Sequence, residues 1–216
     1  LPEGVLSTST AFSSTAEITK YLNQFYETGV RTQSQNVGNA SGIAFGDMAS
    51  DNMISNVIDD GLAGETALSD ATKLTNYTYI RNVNFLINNF GNCKETGAAM
   101  NQCIGEAYYF RAWYYYQMFV NDGELTWIDE VLDSVQEQME RPRDSRTMIA
   151  DKILADLDVA IENLGEKNNS ATVRVHKDEG RAPKSEVARF EATWEKYHKA
   201  KGTLFYYKRI TDEKIN

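Results

Sequence analysis

The 216-residue chain carries 22 basic and 31 acidic residues, a formal net charge of −9. Its composition, 42% hydrophobic and 25% charged, is that of a globular domain and excludes a disordered or low-complexity fibre. The acidic balance, with no compensating Lys/Arg stripe, argues against nucleic-acid binding and lends no support to an anionic-lipid surface.

No apolar run approaches the length that spans a bilayer. No charged-then-apolar leader opens the chain, so any export signal is expected to have been removed or never included. Cys93 and Cys103 are too few for a disulfide scaffold or a four-thiolate zinc site. Their spacing suits either one small-loop disulfide or two free thiols.

Residues 1–13 are small and polar and read as a loosely held leader. A first helix follows. Ser14 and Glu17 have capping-box spacing, and Ile18, Tyr21, Leu22, Phe25 and Tyr26 share one face until Gly29. From Thr32 to Gly46 the chain is uncharged and rich in Ser, Asn, Gln and Gly, which describes an ordered loop. A second helix is predicted from about Ser69 to Asn89, and a third from about Ala98 to Val120.

The fourth has the strongest periodicity. Ile149, Ile153, Leu157, Ala160, Ile161 and Leu164 recur at steps of three and four, with Asp144 or Ser145 as cap and Gly165 as stop. A fifth is expected to start after Pro183 and run from Lys184 to Lys201. Short extended pieces fall near Leu125–Ile128 and Thr172–His176. The pattern is all-α, with helix pairs packed antiparallel as in bundles or helical arrays. No 34-residue repeat is visible.

The third helix holds seven aromatics between Tyr108 and Tyr116. At about 100° per residue they point in nearly every direction, so this helix is expected between neighbours on at least two sides. Core packing, with tyrosine hydroxyls satisfied at the edges, is preferred over a ligand platform, and Trp113 is assigned to the core. Glu106 and Arg111 project to roughly opposite sides of this helix and cannot pair with each other. If buried, each needs a partner from another helix, and Arg81 is the candidate for Glu106.

Gly105-Glu106-Ala107-Tyr108-Tyr109-Phe110-Arg111-Ala112-Trp113-Tyr114-Tyr115-Tyr116 resembles the hallmark motif of the SusD/RagB family, surface glycan-binding lipoproteins of Bacteroidetes. Further segments resemble family motifs in the same order. Tyr21 to Tyr26 is similar to the first helix, and Ser50-Asp51-Asn52 to a conserved turn. Tyr79 to Asn84, with Arg81 and Asn84, is similar to the helix that precedes the hallmark. Ile153 to Ile161 and Gly180 to Lys184, then Thr193 to Tyr197, complete the series.

The resemblance implies a tetratricopeptide-like scaffold over residues 14–203, followed by a tail at 204–216. It implies a protein held at the outer membrane, on the cell surface, by a lipid on a cysteine upstream of this chain. It further implies a TonB-dependent, SusC-like transporter as partner, and an oligosaccharide or in some branches a peptide as ligand. No catalysis and no cofactor are implied. The chain is less than half the usual length of the family, so it is read as the N-terminal scaffold portion.

Flat C–H faces of sugars stack on aromatic rings while amides and carboxylates bond their hydroxyls. The polar loop offers Asn36, Asn39, Asp51 and Asn52 for this, and Trp127, expected to be exposed, offers a ring. A glycosidase needs two carboxylates across a cleft. Asp47, Asp51, Asp59, Asp60, Asp129 and Glu130 are available, but their pattern is that of solvent-facing loop acids. His176 and His198 lack metal-ligand spacing, and no phosphate cradle or nucleophile signature is present. The expectation is a non-catalytic glycan-binding protein that delivers its ligand to the transporter. The alternative is a protein-interaction scaffold that docks on the transporter and has no glycan site of its own.

Overall fold

The computed structural model describes residues 11–29, 70–132, 141–167 and 174–200, and all structural statements concern these. They form five α-helices: α1, Thr15–Gly29; α2, Asp70–Asn88; α3, Ala98–Asp122; α4, Arg146–Asn163; and α5, Lys177–Ala200. A single 3-10 turn, Phe90–Asn92, lies between α2 and α3. Among the described residues there is no strand, only an isolated bridge between Leu125 and Asp144. The all-α expectation holds.

Local signals place the helix starts. Ser14 Oγ accepts from the Glu17 N–H at 3.3 Å, while the Glu17 carboxylate reaches back to the Ser13 N–H at 2.8 Å. Ser145 caps α4 by accepting from the Met148 N–H. The start of α5 differs from the sequence expectation, for it begins at Lys177, before Pro183. The signal lies in Glu179, whose carboxylate accepts from the His176 N–H at 2.6 Å, and in Asp178 beside it. Pro183 then sits inside the helix, where it has no N–H to donate and crowds the carbonyl one turn back.

Contacts across the interfaces give the helix directions. Tyr77 meets Tyr115 while Asn84 meets Arg111, so α2 and α3 are antiparallel. Arg111 reaches Asp156 and Phe119 lies under Arg146, so α3 and α4 are antiparallel too. Lys184 pairs with Asp158 while Glu191 pairs with Arg146, which makes α4 and α5 antiparallel as well. In α1, Thr19 lies by Cys103 and Phe25 by Phe110, so this helix runs parallel to α3.

The aromatic helix α3 is therefore central, with α1, α2, α4 and α5 all packed against it. Its buried residues include Met100, Ala107, Phe110, Tyr114, Tyr115, Met118 and Phe119, which point to different neighbours. Phe110 meets Phe25 and Tyr26 of α1, Tyr114 stacks on Tyr79 of α2, and Phe119 meets Phe190 of α5.

Close approach of α4 depends on Gly105, where a Cβ would lie 2.8 Å from Leu164 Cγ and 2.9 Å from its backbone nitrogen. Gly180 plays the same part for α5, where a Cβ would come within 2.9 Å of Ile161. Ala11 and Phe12, at the end of the expected leader, are buried, with Phe12 against Tyr21 and Phe85. Cys93 and Cys103 are both buried and both free thiols.

Candidate functional site

Arg111 projects from α3 toward α2 and α4. Its Nε and Nη2 each donate to an Asp156 carboxylate oxygen at 2.7 Å, and Nη1 donates to Asn84 Oδ1 at 3.1 Å. Asn84, fully buried on α2, turns its amide nitrogen to the carbonyls of Ile128 at 2.8 Å and Glu130 at 3.2 Å. Burial alone would depress Arg111, but the hydrogen bonds and charge of Asp156 raise it above its ordinary value, so the cation persists.

Glu106 faces the opposite way, as its five-residue offset from Arg111 requires. It is fully buried and paired with Arg174, with Nε to Oε1 at 2.8 Å. Gln102 donates to the same carboxylate at 2.7 Å, and Arg174 also donates to Asn23 of α1. The expectation that Arg81 pairs with Glu106 is corrected. Arg81 is exposed, and α2 packs on the Arg111 side of α3, from which no described α2 side chain bonds Glu106. Arg174 lies in the short extended piece near His176, where no periodicity marked it as a partner.

Trp127 is corrected as well. Rather than standing exposed it is 8% exposed and stacks on Tyr115 with ring centres 4.2 Å apart. Its backbone N–H donates to Asp144 at 2.8 Å, and its indole N–H to Asp129 at 3.3 Å. Tyr115 accepts from the Ile128 N–H at 2.7 Å and Tyr77 accepts from the Thr126 N–H, so the segment after α3 is pinned from two helices. Asn36, Asn39, Asp51 and Asn52 lie outside the described residues.

Of the acids weighed for hydrolysis, Asp129 and Glu130 are described. Both are exposed, one beside the Trp127 indole and the other paired with Arg141. Asp47, Asp59 and Asp60 also fall outside the described residues. Among the described residues no three His, Cys, Asp or Glu side chains group as metal ligands, and no helix is long and apolar enough to cross a membrane.

Two hollows remain. One, of about 290 Å³, is lined by Gln102, Gly165, Arg174 and His176 near the Glu106 pair. The other, of about 330 Å³, is a groove between α3 and α5. Trp113, Tyr116, Gln117, Val120 and Asn121 form its α3 side at helical spacing, and Glu186 of α5 faces them. Trp113, expected in the core, is half-buried and packed on the core's edge, its ring parallel to Tyr109.

A family model described as "Starch-binding associating with outer membrane", SusD-like, matches residues 5–191. The chain belongs to the SusD-like family. Among solved structures it is similar to a SusD-like protein of Bacteroides fragilis, at 21% identity and a TM-score of 0.70, covering 89% of this chain and 38% of that one. A SusD-like carbohydrate-binding protein of the same species matches at 17% identity and a TM-score of 0.66, over 88% of this chain and 40% of that one. A laminarin-binding SusD-like protein matches at 17% identity and a TM-score of 0.66, over 84% and 41%. No curated protein matches. The chain thus spans about two fifths of the solved relatives it resembles.

In this SusD-like chain the hallmark residues are structural in their contacts. Gly105 admits α4, Glu106 anchors Arg174, and Arg111 ties α2, α4 and the Trp127 segment together. A further anchor carried no sequence signal. Arg146 donates to Glu191 at 2.7 Å and lies over Phe119 at 4.1 Å and Trp194 at 4.3 Å. Burial lowers the Arg146 pKa, while the Glu191 carboxylate opposes that shift.

Proposed function

We propose that this SusD-like chain is part of a non-catalytic cell-surface protein that binds oligosaccharides and delivers them to a TonB-dependent, SusC-like outer-membrane transporter. The observation that carries this reading is the family match over residues 5–191. Its structural relatives, one carbohydrate-binding and one laminarin-binding, agree with a glycan as ligand class, and a peptide is the lesser candidate. Asn36, Asn39, Asp51 and Asn52 are proposed to supply hydrogen bonds to that ligand. Attachment to the outer membrane is proposed to be through a lipid anchor.

One observation favours a second reading, a transporter-docking scaffold without its own glycan site. Glu106, Arg111 and Asn84 spend their polar groups on internal pairs, so what the motif secures is helix geometry. Native affinity electrophoresis of the 216-residue chain against neutral and acidic polysaccharides separates the two. Retardation by a glycan supports the first reading. Unretarded, folded protein that co-purifies with the transporter supports the second.

A further inference from the structure

We infer that the groove between α3 and α5 is a subsite for an uncharged pyranose unit, with Trp113 as its aromatic wall. The inference rests on the glycan-binding reading and gives it a place and a ligand class. Trp113, Gln117 and Asn121 follow one another at four-residue steps along α3, so an indole and two amides share one stripe, half-buried at Trp113 and Gln117 and exposed at Asn121. Tyr116 and Val120 fill the apolar positions between them, and the Glu186 carboxylate forms the opposite rim.

The Trp113 indole N–H is buried and has no acceptor among the described residues. That nitrogen is out of reach of solvent, so what the indole offers the groove is its ring. The Gln117 amide and the Glu186 carboxylate likewise make no hydrogen bond or ion pair among the described residues. Asn121 donates to the Gln117 carbonyl at 2.9 Å, which fixes its side chain and leaves its own oxygen as an acceptor.

Rigid aromatic surface beside convergent amides and a carboxylate is the chemistry that receives a sugar ring. The apolar face packs on the indole, and neighbouring hydroxyls bridge two oxygens or an oxygen and an amide nitrogen. Trp113 is held parallel to Tyr109, with ring centres 6.3 Å apart, so little side-chain freedom is lost on binding. The volume of about 330 Å³ fits a terminal sugar or a short branch rather than a long strand. Charge selects the class. The groove is lined by a carboxylate and no cation, and the chain carries a net −9, so uronic or sulfated sugars are repelled.

The test is native affinity electrophoresis of the 216-residue chain with amylose and laminarin as neutral probes and polygalacturonate as the anionic one. Wild type is compared with Gln117→Ala, Asn121→Ala, Glu186→Ala and Trp113→Phe, each checked for wild-type circular dichroism. The expected result is retardation by a neutral glycan, weakened about tenfold in each amide or acid variant. Trp113→Phe, which shortens the aromatic wall on which the sugar packs, should show a similar loss.

Equal retardation of wild type and all variants would overturn the subsite while leaving glycan binding by this chain intact. Retardation by polygalacturonate alone would overturn the neutral class. Folded wild type that no probe retards would overturn the subsite and shift the functional reading to the docking scaffold.

Discussion

Arg111 on α3 and Asp156 on α4 form a two-pronged ion pair with both prongs at 2.7 Å, almost wholly shielded from water. Desolvating two charges is costly, and the return comes from geometry and from Asn84, which fills a third guanidinium position. The pair therefore orders α2, α3 and α4 relative to one another more than it adds net stability.

That distinction gives a prediction. Arg111→Met or Asp156→Leu alone should cost about 3–5 kcal/mol, because each leaves a buried charge without its partner. The double variant should cost less than either single change, since the survivor's desolvation penalty disappears. Urea unfolding of the four proteins measures this directly. Additive losses would show that the two side chains are not energetically coupled.

Glu106 supplies the second prediction, which separates the sequence expectation from the structure. Arg174→Ala should cost about 2–3 kcal/mol, since it strands a fully buried carboxylate with Gln102 as its remaining hydrogen-bond donor. Arg81→Ala should fall within about 0.5 kcal/mol of wild type, as expected for an exposed side chain. A larger loss at position 81 than at 174 would return Arg81 to the role of partner.

The contrast between these arginines shows what was legible in the sequence. Periodicity located α4, with Ser145 as its cap and its last residue just before Leu164 and Gly165. The all-round aromatics of Tyr108 to Tyr116 marked a helix enclosed by others, and the offset of Glu106 from Arg111 required partners on different sides. These are local quantities. The identity of a partner depends on which helix lies against which face, and that is decided by packing across long sequence separations.

Trp127 failed for the same reason. Its acidic, Gly-containing surroundings read as surface, while Tyr115 and the Asp144 carboxylate hold it inside. Pro183 failed differently. A proline is a strong stop signal, but here the helix already starts at Lys177 with the Glu179 cap, so Pro183 falls in its second turn and the helix carries the cost of one lost N–H bond. The groove around Trp113 was invisible because Trp113 stands among core aromatics of the same helix, and Glu186 meets it from a position far away in sequence.

The last prediction concerns alkaline pH. Burial pushes the Tyr115 phenol well above its ordinary value, with Tyr77 adding to the shift, and burial pushes Tyr109 up to about 12, assisted by Glu179. Tyr26 and Tyr77 are raised too, again chiefly by burial. The native state thus keeps protons that the unfolded chain releases above about pH 10. Stability is complete below that pH and falls as pH rises toward the native values, by about 1.4 kcal/mol per pH unit for each such tyrosine. Tyr115→Phe should lose about 1 kcal/mol near neutrality, with the hydroxyl that meets the Ile128 N–H, yet decline less steeply above about pH 10. Denaturant unfolding between about pH 8 and pH 11, with tyrosinate absorbance followed in parallel, tests both parts. Ionisation of all tyrosines near pH 10 in protein that stays folded would refute it.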